Sequence, residues 1–199
     1  MTLQLPHEIG GLLAVDLDET LVDVNTFPSL VRLLPGALVR SRRPAAVARL
    51  GVALIRRKLL RGSHADLKSE VCRLVDLADG ASLDEWTMSM LEEHGDDRLI
   101  RAVGLWDGPT LLTSAAPESV VRRIAEAVGF DHAHGSVRDG STFVENVSTA
   151  KVERLRSSGL DRPALAISDE PELDGPLLRY ANRQLVVRMD RSLSPFEPG

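Results

Sequence analysis

The chain has 199 residues, of which 43% are hydrophobic and 4% aromatic. This length and composition predict one core of aliphatic side chains, with room for a modest insertion, and exclude a wholly disordered chain. The formal net charge is −5, but the segment 24–65 holds nine basic and no acidic residues, which leaves 15 basic and 29 acidic residues elsewhere. One segment is therefore strongly basic, and we expect it to meet something anionic.

The expected cellular location follows from what the sequence lacks. Cys72 is the single cysteine, which excludes an intrachain disulfide framework and fits a reducing compartment. No apolar run approaches the roughly 18 residues that a membrane span needs. We therefore expect a cytoplasmic protein.

Short apolar runs alternate with helical patterns in the second half of the chain. Four runs predict buried strands, at Leu12–Val15, Thr110–Thr113, Ala164–Ile167 and Gln184–Val187, and a weaker run lies at 130–133. From residue 110 onward, strands and helices are predicted in alternation, which is typical of a parallel sheet covered by helices. The sequence thus predicts an α/β fold with a Rossmann-like parallel sheet.

The segment between the first two predicted strands breaks this alternation. Apolar residues recur there at helical spacing, and Ser82–Glu85 has the pattern of a capping box that opens a helix. We expect residues 25–100 to form an inserted all-helical cap. Residues 1–24 and 101–199 would then form the α/β core.

Two carboxylates, Asp16 and Asp18, follow the first predicted strand directly. Ligands of parallel sheets bind at the carboxyl ends of the strands, so both side chains are expected to face the same crevice. Such a pair can bind a hard divalent cation, preferably Mg²⁺ beside phosphate, or can divide the work of nucleophile and proton donor. A solvated acidic turn is the alternative interpretation.

Three further polar groups are predicted at the same edge of the sheet. Thr113 and Ser114 end the second strand just before a helix N-terminus, where an anion is favoured. Lys151 begins the next helix, where a cation needs an anionic partner. Ser168–Asp174 follows another strand and contains four acids. Each feature alone also fits a plain cap or a solvent-facing residue, but their order of acid, hydroxyl, lysine and acid predicts one shared pocket.

Together these motifs resemble those of the haloacid dehalogenase (HAD) superfamily of aspartate-nucleophile phosphohydrolases, over residues 12–187. Val15–Leu21 matches the DxDxT signature, and Leu111–Ser114 is similar to the second motif. Lys151 fits the third motif, and Ser168–Asp174 is similar to the GDxxxxD form of the fourth, with Ser168 in place of glycine. The helical insertion resembles a C1-type cap. The resemblance implies a HAD-like fold and a phosphatase.

The resemblance also implies a role for each motif residue. Asp16 would attack phosphorus to form an aspartyl-phosphate, and Asp18 would protonate the leaving alcohol and then deprotonate water. Lys151 and a hydroxyl would bind the transferring phosphoryl group; Thr113 is preferred to Ser114 because it directly follows the predicted strand. The implied Mg²⁺ ligands are Asp16, Asp18 through its backbone carbonyl, Asp169 and Asp174, with Glu170 and Glu172 crowding the same loop.

The basic segment Arg32–Arg61 has two functional interpretations. It selects a substrate with a second anionic group, or it lies on an anionic membrane as an interfacial amphipathic helix. A solvated basic face is the plain alternative. The order of motif and basic cap also resembles the phosphatase-like domain found beside polyprenyl transferases of the UbiA family.

The sequence therefore predicts a Mg²⁺-dependent phosphomonoester hydrolase acting on a small or lipid-linked phosphate, with peripheral membrane contact as one role of the basic segment. The alternative is a phosphatase-like regulatory module that docks on a membrane enzyme or an anionic surface and has little turnover. Nucleic acid is excluded as a partner, because the chain is poor in aromatic residues and acidic outside one segment.

Overall fold

The computed structural model describes residues 10–59, 63–140 and 142–197. Its strands are β1 (Leu13–Val15), β2 (Thr110–Pro117), β3 (His132–Asp139), β4 (Thr142–Val144), β5 (Leu165–Ser168), β6 (Arg183–Val187) and β7 (Leu193–Pro195). Its helices are α1 (Thr26–Arg40), α2 (Pro44–Leu59), α3 (His64–Val75), α4 (Gly80–His94), α5 (Asp97–Gly104), α6 (Glu118–Val128), α7 (Thr149–Ser157) and α8 (Gly175–Tyr180). Arg61, the last residue of the predicted basic segment, lies outside the described residues.

The strands form one sheet with the order β4-β3-β2-β1-β5-β6-β7. The five inner strands run parallel, and β1 lies at their centre between β2 and β5. The predicted α/β fold with a parallel sheet is therefore confirmed. The edge strands β4 and β7 are antiparallel to their neighbours. These two strands are not predicted from the sequence, because three residues are too few to show a hydrophobic period.

The central strand is buried on both faces, as parallel strands are. Leu13 and Val15 belong to one buried apolar cluster, whereas Ala14 belongs to a second cluster on the other face. This split follows from the alternation of side chains along a strand. The first cluster extends into the helical segment through residues such as Leu74 on α3. Helix and sheet thus share one continuous core.

Five helices, α1 to α5, lie between β1 and β2. The N-cap of α1 is Asn25, whose Oδ1 accepts a hydrogen bond of 3.0 Å from the Phe27 amide. The predicted N-cap at Ser82 is wrong by three residues. The N-cap of α4 is Asp79, whose carboxylate accepts a 2.9 Å hydrogen bond from the Ser82 amide. Asp79 therefore has the capping role that was predicted for Ser82.

The chain after β1 is held in place from the far end of the sequence. Arg191, in the turn between β6 and β7, donates hydrogen bonds of 2.6 Å to the carbonyl oxygens of Glu19 and Thr20. The same guanidinium lies 3.1 Å from the Asp96 carboxylate. Asp96 also caps α5 and binds the Arg98 side chain with two hydrogen bonds, of 3.1 and 2.8 Å. Asp96 therefore links the helical segment, the β6–β7 turn and the chain after β1.

Asp96 is expected to stabilise the fold in a pH-dependent way. Burial would raise the pKa of its carboxyl group, but hydrogen bonds and charge from Arg98 and Arg191 outweigh burial and lower the pKa to about 2. A lowered pKa stabilises the folded state above the ordinary value of 3.8, and this contribution is lost as the pH falls towards 2. We expect Asp96→Asn to reduce the free energy of unfolding at neutral pH by about 1–3 kcal/mol.

Urea denaturation at a series of pH values measures this effect. The difference between wild type and Asp96→Asn should shrink as the pH falls from 4 to 2. Asp97→Asn is the matched control, because this neighbouring side chain is exposed and should change stability by at most about 0.5 kcal/mol. An equal loss at neutral and acidic pH would contradict the role assigned to the Asp96 charge.

Candidate active site

The two acids after β1 are placed by a sharp change in the backbone. The Asp16 amide donates a 2.9 Å hydrogen bond to the Ile167 carbonyl of β5, which extends the strand pairing by one residue. The chain then forms a single wide helical turn, Leu17–Leu21, in which Asp18 is extended and Glu19 has a φ of 55°. This turn brings both carboxylates to the carboxyl edge of the sheet.

A cavity of about 420 Å³ opens at this edge. Its described lining is dominated by charged residues: Asp16, Asp18, Glu19, Asp169, Glu170, Asp174, Lys68 and Lys151. Asn25, Ser114, Ala115, Val147 and Leu173 complete the wall. We call it the acidic cavity. The carboxyl ends of β1, β2 and β5 therefore contribute to one concave site, as expected for an open parallel sheet.

Lys151 is the electrostatic centre of the acidic cavity. Its Nζ donates hydrogen bonds of 2.6 Å to Asp16 Oδ1 and 2.7 Å to Asp174 Oδ2. The Lys151 side chain is only 4% exposed. Burial would lower its pKa, but the two carboxylates outweigh burial and raise the pKa above the ordinary value. The two carboxylates thus favour the charged, ammonium form of Lys151, which lies on the first turn of α7.

Asp174 is held by donors on two sides. Besides Lys151 Nζ, the Ser168 hydroxyl donates a 2.7 Å hydrogen bond to the same Oδ2 atom. Asp174 itself is buried. The loop after β5 thus presents Asp174 to the lysine, whereas Asp169 and Glu170 line the cavity from the beginning of the same loop.

Asp18 and Asp169 are anchored through neighbouring backbone and hydroxyl groups. The Asp18 Oδ1 atom accepts a 2.8 Å hydrogen bond from the amide of Thr26, the first residue of α1. The Thr20 hydroxyl donates to Asp169 Oδ1 at 2.9 Å and accepts from the Asp169 amide at 2.8 Å. Thr20 is fully buried and therefore ties the turn after β1 to the loop after β5.

The acidic cavity carries more negative charge than its lysines balance. Burial raises the pKa of Asp16 well above its usual range, with Lys151 opposing this effect. Burial also raises the pKa values of Asp18 and Asp169. A surplus of partly desolvated carboxylates is the environment that a bound cation stabilises.

The donor chemistry of the cavity fits Mg²⁺. Within residues 10–59, 63–140 and 142–197, no group of three or more His, Cys, Asp or Glu side chains is arranged so that it could hold a metal ion. Magnesium does not require such a group, because it usually binds one or two carboxylates and completes its octahedron with water and substrate phosphate. Hard carboxylate oxygens beside an open cavity meet that requirement.

The two candidate hydroxyls of β2 face different surroundings. Ser114 lines the acidic cavity, but Thr113 is absent from its described lining. The Thr113 hydroxyl instead accepts a 3.0 Å hydrogen bond from Asn146, which also binds the carbonyl oxygens of Ser114 and His134. The predicted strand ended at Thr113, but β2 continues to Pro117. Adjacent strand residues point to opposite faces, so only one of the two can reach the cavity.

Several residues that shape the site had no predicted role. Thr20 lies inside the DxDxT pattern, so the sequence did mark its position. Lys68 comes from α3 and lies outside the segment Arg32–Arg61; none of the described basic residues of that segment lines the acidic cavity. Neither Lys68 nor Asn146 belongs to a recognisable pattern, because their positions depend on how helix and loop pack against the sheet.

The comparisons with known proteins support the same fold. The haloacid dehalogenase-like hydrolase family matches residues 13–179. A Bordetella pertussis Tohama I protein of unknown function is similar over 89% of this chain and 90% of its own, with a TM-score of 0.57 and 18% identity. No curated protein sequence matches the chain.

Two further solved structures share the architecture. A phosphoserine phosphohydrolase-like protein from Francisella tularensis is similar over 88% of this chain and 86% of its own, with a TM-score of 0.50 and 13% identity. A probable phosphoserine phosphatase from Vibrio cholerae is similar over 88% of this chain and 57% of its own, with a TM-score of 0.52 and 10% identity. At such identities these structures establish a shared fold only.

The family match spans the chain from β1 almost to the end of α8. It therefore includes both acids after β1, Lys151 on α7 and the acidic loop after β5. The chain belongs to the haloacid dehalogenase-like hydrolases.

Proposed function

We propose that the protein is a Mg²⁺-dependent phosphomonoester hydrolase that acts through an aspartyl-phosphate on Asp16. The observation that carries this proposal is the buried Lys151 ammonium, shared between Asp16 and Asp174 in a cavity that Asp18 and Asp169 also line. Phosphoryl transfer requires an aligned nucleophile and neutralisation of the phosphoryl oxygens, and this arrangement provides both.

Asp16 is the proposed nucleophile. Lys151 binds its Oδ1 atom and so fixes the carboxylate, leaving Oδ2 to attack phosphorus in line with the leaving oxygen. The attack forms a bond from Asp16 to phosphorus and breaks the bond from phosphorus to the alcohol. Water then attacks the aspartyl-phosphate, releases inorganic phosphate and restores the carboxylate.

Asp18 is the proposed proton carrier. The Thr26 amide holds its Oδ1 atom, so Oδ2 is the oxygen that protonates the departing alcohol and later removes a proton from water. This exchange returns Asp18 to its starting state after each turnover. The distance between nucleophile and proton carrier is set by the wide turn after β1.

Lys151 and Ser114 are the proposed ligands of the transferring phosphoryl group. The Ser114 Oγ atom accepts a 3.1 Å hydrogen bond from the Ala116 amide, which leaves its hydroxyl proton for a phosphoryl oxygen. Ser114 rather than Thr113 takes this role because it lines the cavity. Asp174 acts through Lys151 as a positioning residue rather than as a metal ligand.

Asp16, Asp169 and the Asp18 backbone carbonyl are the proposed Mg²⁺ ligands. When bound, Mg²⁺ supplies positive charge that offsets the repulsion between the acids and the phosphate. Thr20 orients Asp169 by the hydrogen bond to its Oδ1 atom, which leaves Oδ2 available to the metal. The raised pKa of Asp169, caused by burial, is consistent with a carboxylate in need of a cation.

We expect Asp16→Asn to reduce hydrolysis of para-nitrophenyl phosphate by roughly 10³-fold or more, because an amide is not a nucleophile. Asp161→Asn is the matched control, since this exposed acid lies outside the acidic cavity and should retain wild-type turnover. Full activity of Asp16→Asn would refute the covalent mechanism. Absence of turnover in the wild-type protein across phosphorylated metabolites and lipid phosphates would favour the regulatory-module alternative.

We also expect activity to depend on Mg²⁺. Removal of divalent metal with a chelator should abolish turnover, and added Mg²⁺ should restore it. Asp169→Asn should raise the Mg²⁺ concentration needed for half-maximal activity, because it removes one hard anionic ligand. Titration of activity against Mg²⁺ measures this shift. An unchanged midpoint in Asp169→Asn would show that Asp169 is not a metal ligand.

A second candidate function, contact with an anionic membrane, is favoured by the surface of α2. Only Ala46 and Leu50 are buried along this helix, whereas Val52, Ile55 and Leu59 are half-exposed or more. Three cations, Arg56, Arg57 and Lys58, occupy its last turn. Exposed apolar and basic side chains on one helix are the composition of an interfacial anchor. Among the described residues, no helix has the length and apolar character to cross a bilayer.

Vesicle sedimentation tests the membrane contact. The protein should bind vesicles that contain phosphatidylserine more tightly than vesicles of phosphatidylcholine alone, and salt should weaken the binding. Arg56→Gln with Arg57→Gln should weaken binding about tenfold or more, at about 1 kcal/mol for each basic residue. The control pair Arg101→Gln and Arg122→Gln removes equal charge from α5 and α6. Equal binding to both vesicle types would refute the contact.

A further inference from the structure

A second lysine enters the acidic cavity from the helical segment. Lys68, on α3, lines the cavity together with the sheet-edge acids, and its side chain is only 19% exposed. Lys68 and Lys151 are the two cations among the described lining residues. Lys151 is already bound to two carboxylates of the α/β core, so Lys68 is the cation that remains for another anion.

Lys68 forms an ion pair with Glu145, which lies in the segment between β4 and α7. The pair joins the helical segment to the α/β core across 77 residues of sequence. The Glu145 side chain is 25% exposed and Glu145 is absent from the described cavity lining. Lys68 therefore lines the cavity while its ammonium group is paired with a carboxylate that does not line it.

Lys68 lines the same cavity as Asp18, the proposed proton carrier for the leaving alcohol. Burial raises the pKa of Asp18, and the charge of Lys68 is among the effects that oppose it, so the two side chains lie within electrostatic reach of each other. Asn25, next to Thr26, whose amide holds Asp18, also lines the cavity. A substrate whose phosphoryl group contacts Asp16 and Lys151 would extend its alcohol past Asp18 towards Lys68.

We propose that Lys68 makes the site selective for phosphomonoesters whose alcohol portion carries a second anionic group, a carboxylate or a phosphate. On binding, Lys68 exchanges Glu145 for that group. A neutral alcohol offers Lys68 no ionic partner and leaves the pair with Glu145 intact. The inference rests on the proposed hydrolase function and gives Lys68 a role in specificity rather than in catalysis.

Two pairs of small esters test this selectivity. Phosphoglycolate against ethyl phosphate adds a carboxylate, and ethylene glycol bisphosphate against ethylene glycol monophosphate adds a phosphate. The wild-type protein should prefer one or both anionic members by about tenfold or more in kcat/KM, the effect of one charged hydrogen bond in a partly buried site. The pair of esters that shows the preference identifies the second anionic group as a carboxylate or a phosphate.

Three variants assign the preference to Lys68. Lys68→Gln should lower the ratio of kcat/KM between the anionic and the neutral ester to near one, and Lys68→Arg should retain most of it. Arg122→Gln, which removes a cation from the exposed surface of α6, should leave the ratio unchanged. Glu145→Gln should lower KM for the anionic ester, because it removes the competing carboxylate. The proposal would be overturned if Lys68→Gln left the ratio unchanged. It would also be overturned if Glu145→Gln raised KM for the anionic ester, as Lys68→Gln is expected to do.

Binding measurements separate this inference from the hydrolase proposal. Isothermal titration of Asp16→Asn with phosphoglycolate and ethyl phosphate, in the presence of Mg²⁺, reports affinity without turnover. A Lys68-dependent binding preference without hydrolysis by the wild type would support the subsite and refute the hydrolase. Hydrolysis of both esters with equal kcat/KM and equal affinity would refute the subsite and leave the hydrolase in place.

Discussion

Lys151 is buried together with the carboxylates of Asp16 and Asp174, and the rest of the site depends on this arrangement. A buried ammonium is costly unless hydrogen-bonded counter-charges surround it, and two acids from distant parts of the chain supply them. If either acid were lost, the free-energy cost of burying the Lys151 charge would no longer be fully offset. The interaction therefore connects the end of β1, the first turn of α7 and the loop after β5.

The remaining charges have separate places in the molecule. Acids lie together at the carboxyl edge of the sheet, where a bound cation would relieve their mutual repulsion. The helical segment contributes Lys68 to the acidic cavity. The α2 arginines Arg49, Arg56 and Arg57 instead line a different groove, of about 550 Å³, between α2 and α3. The basic segment and the cationic part of the acidic cavity are thus two distinct surfaces, with two proposed partners.

Much of the architecture could be predicted from the sequence, because it depends on patterns among neighbouring residues. Apolar runs of four residues that end in acids or hydroxyls predicted β1, β2 and β5, and the rule that parallel strands align their carboxyl ends predicted that their polar residues meet. The structure places Asp16, Asp18, Ser114, Lys151, Asp169 and Asp174 around one cavity, and their chemical roles remain proposals. Strands of three residues at the sheet edges carry too little pattern to be recognised.

The sequence by itself determined the fold class, the order of the strand-end motifs and the unequal distribution of charge, because hydrophobic period and residue type are properties of neighbouring positions. The tertiary structure alone decided that Ser114 rather than Thr113 faces the cavity, that Lys68 enters it and that Arg191 holds the chain after β1. Each of these depends on side-chain direction or on contacts between segments far apart in the chain. Such contacts depend on tertiary packing, and the residues that make them do not recur at a regular spacing in the sequence.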